Sequence, residues 1–465
     1  MTQILLPKKP VVLTEWDYAD PAKERQLEGT SLKHSSAAQR LAEELRRRVD
    51  IREGYRGLEI ASTSFVGRID VGPLQIAIQP KLPAMPLSTL LRYAYGLRDV
   101  GMIHETQTPT TRYGLHDLLI FMLAAEVEEL LHRGLARRYV ALSQQLESPR
   151  GQIVFREIIR RGGIREASLP CRYFERRTNW LLNQVLLAGL GLALRMTEDR
   201  ELRRRVRQLA GLFGDVEYRE RLDVRDLDQA ERGLSRLTAA NAPALTIIRL
   251  LHNMLGVSLE SEGQSTATPG FLFDMNYFFQ RLLSRFLRDN LTGEHIVDEQ
   301  EIRNVFAYAE DANPKRRSTP RPRPDYALFR AHKPYGFFDA KYRDIWEKGL
   351  PTEWLYQLSI YALAGPNQVS VLLYATMSTE ACDERIDIRQ PVEWSSKGPA
   401  FVILRPVPLL KLAEFVDPDG GRGLSAKRRR FADDLVLLDV NTTKSRRKDD
   451  VQRQRGLSFA NHNQP

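Results

Sequence analysis

The chain has 465 residues, 42% of them hydrophobic and 28% charged, and 69 Lys and Arg against 59 Asp and Glu give a net charge of +10. That length exceeds one ordinary core, so two or three domains are expected, and the composition excludes a disordered or membrane-embedded class. No apolar run reaches the roughly 18 residues of a spanning helix, MTQILLPKKPVVL is a poor signal peptide, and the distant Cys171 and Cys382 point to a reducing cytoplasm rather than a disulfide framework.

In chain order, a mixed start leads to a helix expected near Ala37 to Asp50, with Leu41 and Leu45 on one face. Gly67 to Val71 and the alternating Leu74-Gln75-Ile76-Ala77-Ile78 read as a hairpin, with Gly72-Pro73 as its turn. Residues 1–110 are thus expected to form a small β-rich module. Residues 111–265 read as mainly helical. Leu115 to Arg133 spaces its apolar residues by three and four, and Trp180 to Met196 is almost wholly apolar. Gly189 and Gly191 in that run suggest close helix packing. Ser148 to Ile153 reads as a turn into a short element, and an amphipathic helix is expected over Phe271 to Asn290. Residues 266–440 form the last α/β part, and 441–465 are a basic tail expected to be disordered. The predicted class is mixed α/β.

Chemistry concentrates between Arg321 and Ala362. Pro324-Asp325 precedes an apolar strand bearing Asp339-Ala340-Lys341, and Gln357 and Tyr361 follow four residues apart. Alternation puts Phe337, Asp339 and Lys341 on one strand face, and an i, i+4 pair shares one helix face. Two carboxylates and a lysine suit Mg²⁺-dependent phosphodiester cleavage, since a hard cation takes oxygen ligands and leaves positions for water and phosphate. The competing reading is an Asp339–Lys341 ion pair on an exposed edge strand, with Asp325 ending a proline-rich turn. Lys315, Arg316, Arg317, Arg321 and Arg323 precede Asp325, and basic residues beside such a site suit a polyanionic backbone.

The order of these residues resembles the PD-(D/E)xK nuclease superfamily, with Gln357 and Tyr361 matching the Q-x-x-x-Y element of its RecB-like branches. The wider layout resembles the McrC family. Gly67-Arg68-Ile69 through Ile78-Gln79-Pro80-Lys81 is similar to its N-terminal element. Arg150 to Ile153, and Cys171 to Asn183 with Asn179 and Asn183, are similar to its central motifs. Phe271 to Asn276 is similar to the segment that opens its nuclease domain.

The resemblance implies a restriction-endonuclease-like C-terminal domain that cleaves DNA with Mg²⁺, or Mn²⁺ in its place. Asp325, Asp339 and the Ala340 backbone carbonyl would hold the metal. Lys341 would act on water or the transition state, Gln357 would position water or phosphate, and Tyr361 would buttress the strand or Lys341. Related nucleases often carry a metal-binding glutamate where this chain has Gln280, a weaker ligand, so Glu299 or Glu301 is a substitute to test. No G-x-x-x-x-G-K-[ST] loop is present, so the chain itself is expected to bind no nucleotide. The resemblance supplies a separate hexameric AAA+ GTPase of the McrB type, with the Leu74 to Ile78 hairpin as a contact, and no membrane partner. The rival readings are a stand-alone RecB-like repair nuclease and a catalytically weak adaptor between DNA and a motor.

Overall fold

Apolar alternation and helical spacing both find their places in a mixed α/β fold. The computed structural model describes residues 10–97, 114–164, 167–254, 270–309, 312–389, 399–418 and 423–439. The basic tail lies outside them. The chain forms two compact units that interleave in sequence. One takes in Gly67–Ile76 and the described part of 100–273; the other takes in Val11–Val66, the described part of 77–99 and the described residues from Asp274 on. The grouping differs from three consecutive parts, because most of the N-terminal module packs with the C-terminal part.

In the second unit a six-stranded sheet runs in the order Glu294–Asp298, Tyr326–Arg330, Lys333–Lys341, Val369–Thr376, Phe401–Pro408, Glu384–Asp387. Lys333–Lys341 pairs antiparallel with Tyr326–Arg330 and parallel with Val369–Thr376, which pairs parallel with Phe401–Pro408. The parallel step needs a crossover, and Ile345–Lys348 and Thr352–Ala364 provide it. All eight residues of Val369–Thr376 are buried, as befits a strand covered on both faces. Helix Met275–Asn290 packs on the Lys333–Lys341 strand.

Two expectations shift here. Phe271–Asp274 is a strand, and the helix starts only at Met275, where the Asp274 side chain accepts from the N–H groups of Asn276 and Tyr277 as an N-cap. The first helix is Ser36–Leu45, and Asp50 belongs instead to strand Val49–Glu53, paired with Leu58–Ser62. The β-branched Val49 and Ile51 favour that pleated surface. Arg405 went unread. It interrupts the apolar Phe401–Pro408 strand, is 1% exposed, and is satisfied by Asp383 at 2.9 Å and the Leu435 and Leu437 carbonyls at 3.0 and 2.6 Å.

In the first unit, helices Leu115–His132, Leu181–Met196, Arg200–Gly211, Val224–Arg232 and Ala242–Met254 pack together. A Cβ on Gly189 would lie 2.4 Å from Ile248, the close helix packing expected there. The mainly helical reading is incomplete, since Arg138–Leu146, Gln152–Ile153 and Leu169–Arg177 form a three-stranded sheet. Arg138–Leu146 is largely exposed and carries glutamines and an arginine, so it shows no apolar alternation. Asn183 is fully buried and donates to the Ala136 and Thr178 carbonyls at 2.8 and 2.7 Å, while Trp180 Nε1 donates to the same Ala136 carbonyl. These motif residues fasten the sheet to the following helix. Asn183→Ala is expected to cost about 1–3 kcal/mol by removing a fully buried amide and its two hydrogen bonds. Urea unfolding at an unchanged midpoint would remove that role.

Candidate active site

The antiparallel register builds the site. Tyr326 pairs with Phe338, so one residue further along the ladder Asp325 stands opposite Asp339. Asp325 accepts the Ala340 N–H at 2.7 Å and a hydrogen bond from the Gln280 side chain. Gln280 is brought there by helix Met275–Asn290, whose Gln280 carbonyl accepts from Tyr326 Oη at 2.6 Å. Asp339 is 1% exposed, and its Oδ2 meets Lys341 Nζ at 2.7 Å. The strand is interior, Asp339 is buried and Lys341 is half-buried, which removes the reading of an exposed edge-strand ion pair.

The electrostatics are those of a site short of positive charge. Burial, and then the Asp339 carboxylate, push Asp325 up to about 7, against Lys341 and the hydrogen bonds that pull it down. Burial pulls Lys341 down, but Asp339 and Asp325 outweigh it, so Lys341 is raised and stays charged. Asp339 Oδ1 is buried without a hydrogen-bond partner. A buried carboxylate oxygen left bare beside a second carboxylate is what a cation would satisfy. Among the described residues no group of three or more His, Cys, Asp and Glu side chains gathers. The oxygen donors are therefore two carboxylates, with the Gln280 amide beside them. That hard, anionic set fits Mg²⁺ or Mn²⁺ with water and substrate completing the shell.

Glu299 and Glu301 are engaged elsewhere. Glu301 binds Arg321 at 3.0 Å and Arg323 at 2.7 Å, and Glu299 lies 3.8 Å from Arg323. The basic cluster is thereby divided: Arg321 and Arg323 share carboxylates, while Lys315, Arg316 and Arg317 are exposed. Asn313 fixes that loop through the Arg317 N–H and carbonyl, both at 2.8 Å.

Gln357 and Tyr361 hydrogen-bond to each other and to the chain that leads into Asp325. Gln357 Nε2 donates to Tyr361 Oη at 2.7 Å, and Tyr361 Oη donates to the Arg323 carbonyl at 2.9 Å. The buried tyrosine thus latches the segment that delivers Pro324-Asp325. Asn276 is a further positioning residue that sequence reasoning passed over: its Oδ1 accepts the Tyr342 N–H at 2.7 Å, just beyond Lys341. Its place after the Asp274 cap was the available signal.

Residues 60–375, more than half of the chain, match the family described as "McrBC 5-methylcytosine restriction system component". The chain belongs to that family, and it is a restriction-system component. Its fold is similar to a chain in the refined half-complex from the tetradecameric assembly of Thermococcus gammatolerans McrB AAA+ hexamers with bound McrC. The TM-score is 0.62 at 18% identity, over 92% of this chain and 100% of that one. A chain of the Thermococcus gammatolerans McrBC complex matches at TM-score 0.45 and 19% identity, over 61% of this chain and 88% of that one. No curated protein matches the chain. Among the described residues no helix is long and apolar enough to cross a membrane.

Proposed function

We propose that this chain is the McrC-type, Mg²⁺-dependent DNA endonuclease subunit of its restriction system, and that it works with a separately encoded McrB-type AAA+ GTPase ring. The observation that carries the reading is the Asp325–Asp339–Lys341 group, in which Asp339 is buried between two half-buried neighbours with its Oδ1 left bare. The GTPase partner is supported by the assembly named for the similar solved chain.

Asp325, Asp339 and the Ala340 carbonyl would hold the metal, with Gln280 orienting Asp325. When bound, Mg²⁺ supplies Lewis acidity toward a phosphoryl oxygen and acidifies a coordinated water. Lys341, kept charged by both acids, stabilises negative charge that grows on the phosphate as the P–O bond breaks. Tyr361 and Gln357 fix the Arg323 carbonyl, and through it the place of Asp325. Lys315, Arg316 and Arg317 offer phosphate contacts that position DNA without reading its sequence.

The test is cleavage of 5-methylcytosine-bearing DNA by the purified chain with its co-purifying GTPase, GTP and Mg²⁺. No cleavage, or equal cleavage in EDTA, would sink the assignment. Tyr361→Phe sharpens it. Losing the Oη bond should cost about 1 kcal/mol of stability. The loosened Asp325 segment should also cut cleavage by up to about 10²-fold and raise the Mg²⁺ concentration needed. Unchanged metal dependence would make the latch merely structural.

A further inference from the structure

A cationic group beyond Lys341 has no part in the reaction above. The Arg343 guanidinium carbon lies 5.1 Å from the Trp16 ring centre and 5.7 Å from that of Trp354, and Lys341 Nζ is 5.8 Å from the same Trp354 ring. Arg343 Nε is buried without a hydrogen-bond partner. Burial is the one cause that shifts Arg343, and it shifts it downward, with no carboxylate opposing among the described residues.

Trp16 is held there deliberately. It sits at φ 59°, an uncommon conformation for a bulky residue, and its Nε1 donates to the Tyr342 carbonyl at 2.6 Å. Lys348 Nζ donates to the Trp16 carbonyl. The neighbouring Glu15, 1% exposed, accepts the Lys81 N–H at 2.8 Å and the Tyr342 hydroxyl at 3.1 Å. The Pro80-Lys81 motif is thus wired to the end of the Asp339–Lys341 strand, with Lys81 itself exposed. After burial, Lys81 and Arg343 are the cations that lower Lys348, while Asp17 and Glu347 oppose them.

We propose that Trp16, Arg343, Trp354, Lys348 and Lys81 form a shelf that grips the phosphate backbone of DNA beside the cleavage centre, so that the N-terminal segment is part of the nuclease's substrate groove. A guanidinium lying over indole rings keeps the terminal N–H groups of its planar fork for phosphate. Gathering cations around aromatic faces favours a polyanion. The inference takes DNA as the ligand from the proposed function.

The experiment is fluorescence anisotropy of duplex DNA with the full chain in EDTA, where no cleavage occurs, over a series of salt concentrations. Arg343→Gln, Lys348→Gln and Lys81→Gln are each expected to flatten the slope of log K against log salt by about 0.9, one phosphate contact each. Lys81 is exposed, so its variant tests the shelf without disturbing packing. Slopes unchanged in all three variants, or weaker binding at unchanged slope, would overturn the proposal. A shelf that binds DNA in a chain that never cuts would leave it standing while the nuclease reading fails. Cleavage that depends on Asp339 with unaltered slopes would do the reverse.

Discussion

Asp339→Asn is expected to lower Mg²⁺-dependent DNA cleavage by about 10³-fold or more, the scale of losing a preorganised charge at the reacting phosphate. The substitution keeps the side-chain shape and removes the charge from an interior strand position that is 1% exposed. The bare Oδ1 and the Lys341 contact on Oδ2 show that no backbone group depends on this carboxylate. Folding and binding of the proposed GTPase partner should therefore persist, with metal-free stability lowered because Lys341 loses its ion-pair partner. Cleavage is followed on supercoiled DNA with the GTPase present, and unfolding is followed by calorimetry on the same samples. Wild-type cleavage by the variant would remove Asp339 from the chemistry, and the nuclease assignment with it.

The second large effect is a coupling between metal and proton at Asp325. Its folded pKa is raised to about 7 from an ordinary 3.8, by burial first and the Asp339 charge second. The folded chain thus holds a proton that the unfolded chain gives up. The stabilisation from that proton is complete at pH values below the ordinary carboxylate range and is lost as pH climbs through about 7. On the proposed reading Mg²⁺ displaces the proton, so its apparent affinity should rise roughly tenfold per pH unit below that point and level off above it. The shift in Tm produced by Mg²⁺, measured between about pH 5.5 and pH 8.5, should grow and then plateau. A shift independent of pH would mean that Asp325 enters the site already ionised. Asp339→Asn removes the Coulombic cause and should move the plateau to lower pH.

The layout of the candidate segment was legible because its signals are local. Alternation put Asp339 and Lys341 on one strand face, and i, i+4 spacing put Gln357 and Tyr361 on one helix face. The burial of the acids was not legible, since D-x-K reads alike on an edge strand and an interior one. The register that sets Asp325 opposite Asp339 and the sheet order that covers both decided it. Tyr361 illustrates the same limit: its helix was readable, but its partner, the Arg323 carbonyl 38 residues away, was not.

Sequence patterning by itself determined the class, the hairpin at Gly72, the long apolar helices and the order of the acidic, basic and aromatic residues. Gly72 at φ 56° takes the left-handed turn that its missing Cβ permits. Tertiary structure alone decided what packs with what. It showed Val11–Val66 grouped with the residues from Asp274 on, Arg405 neutralised by Asp383, and Trp16 lodged beside Arg343. Helix and strand preferences act over a few residues, where spacing is visible. Pairing between segments 300 residues apart depends on which buried polar groups find partners, and no local pattern encodes that.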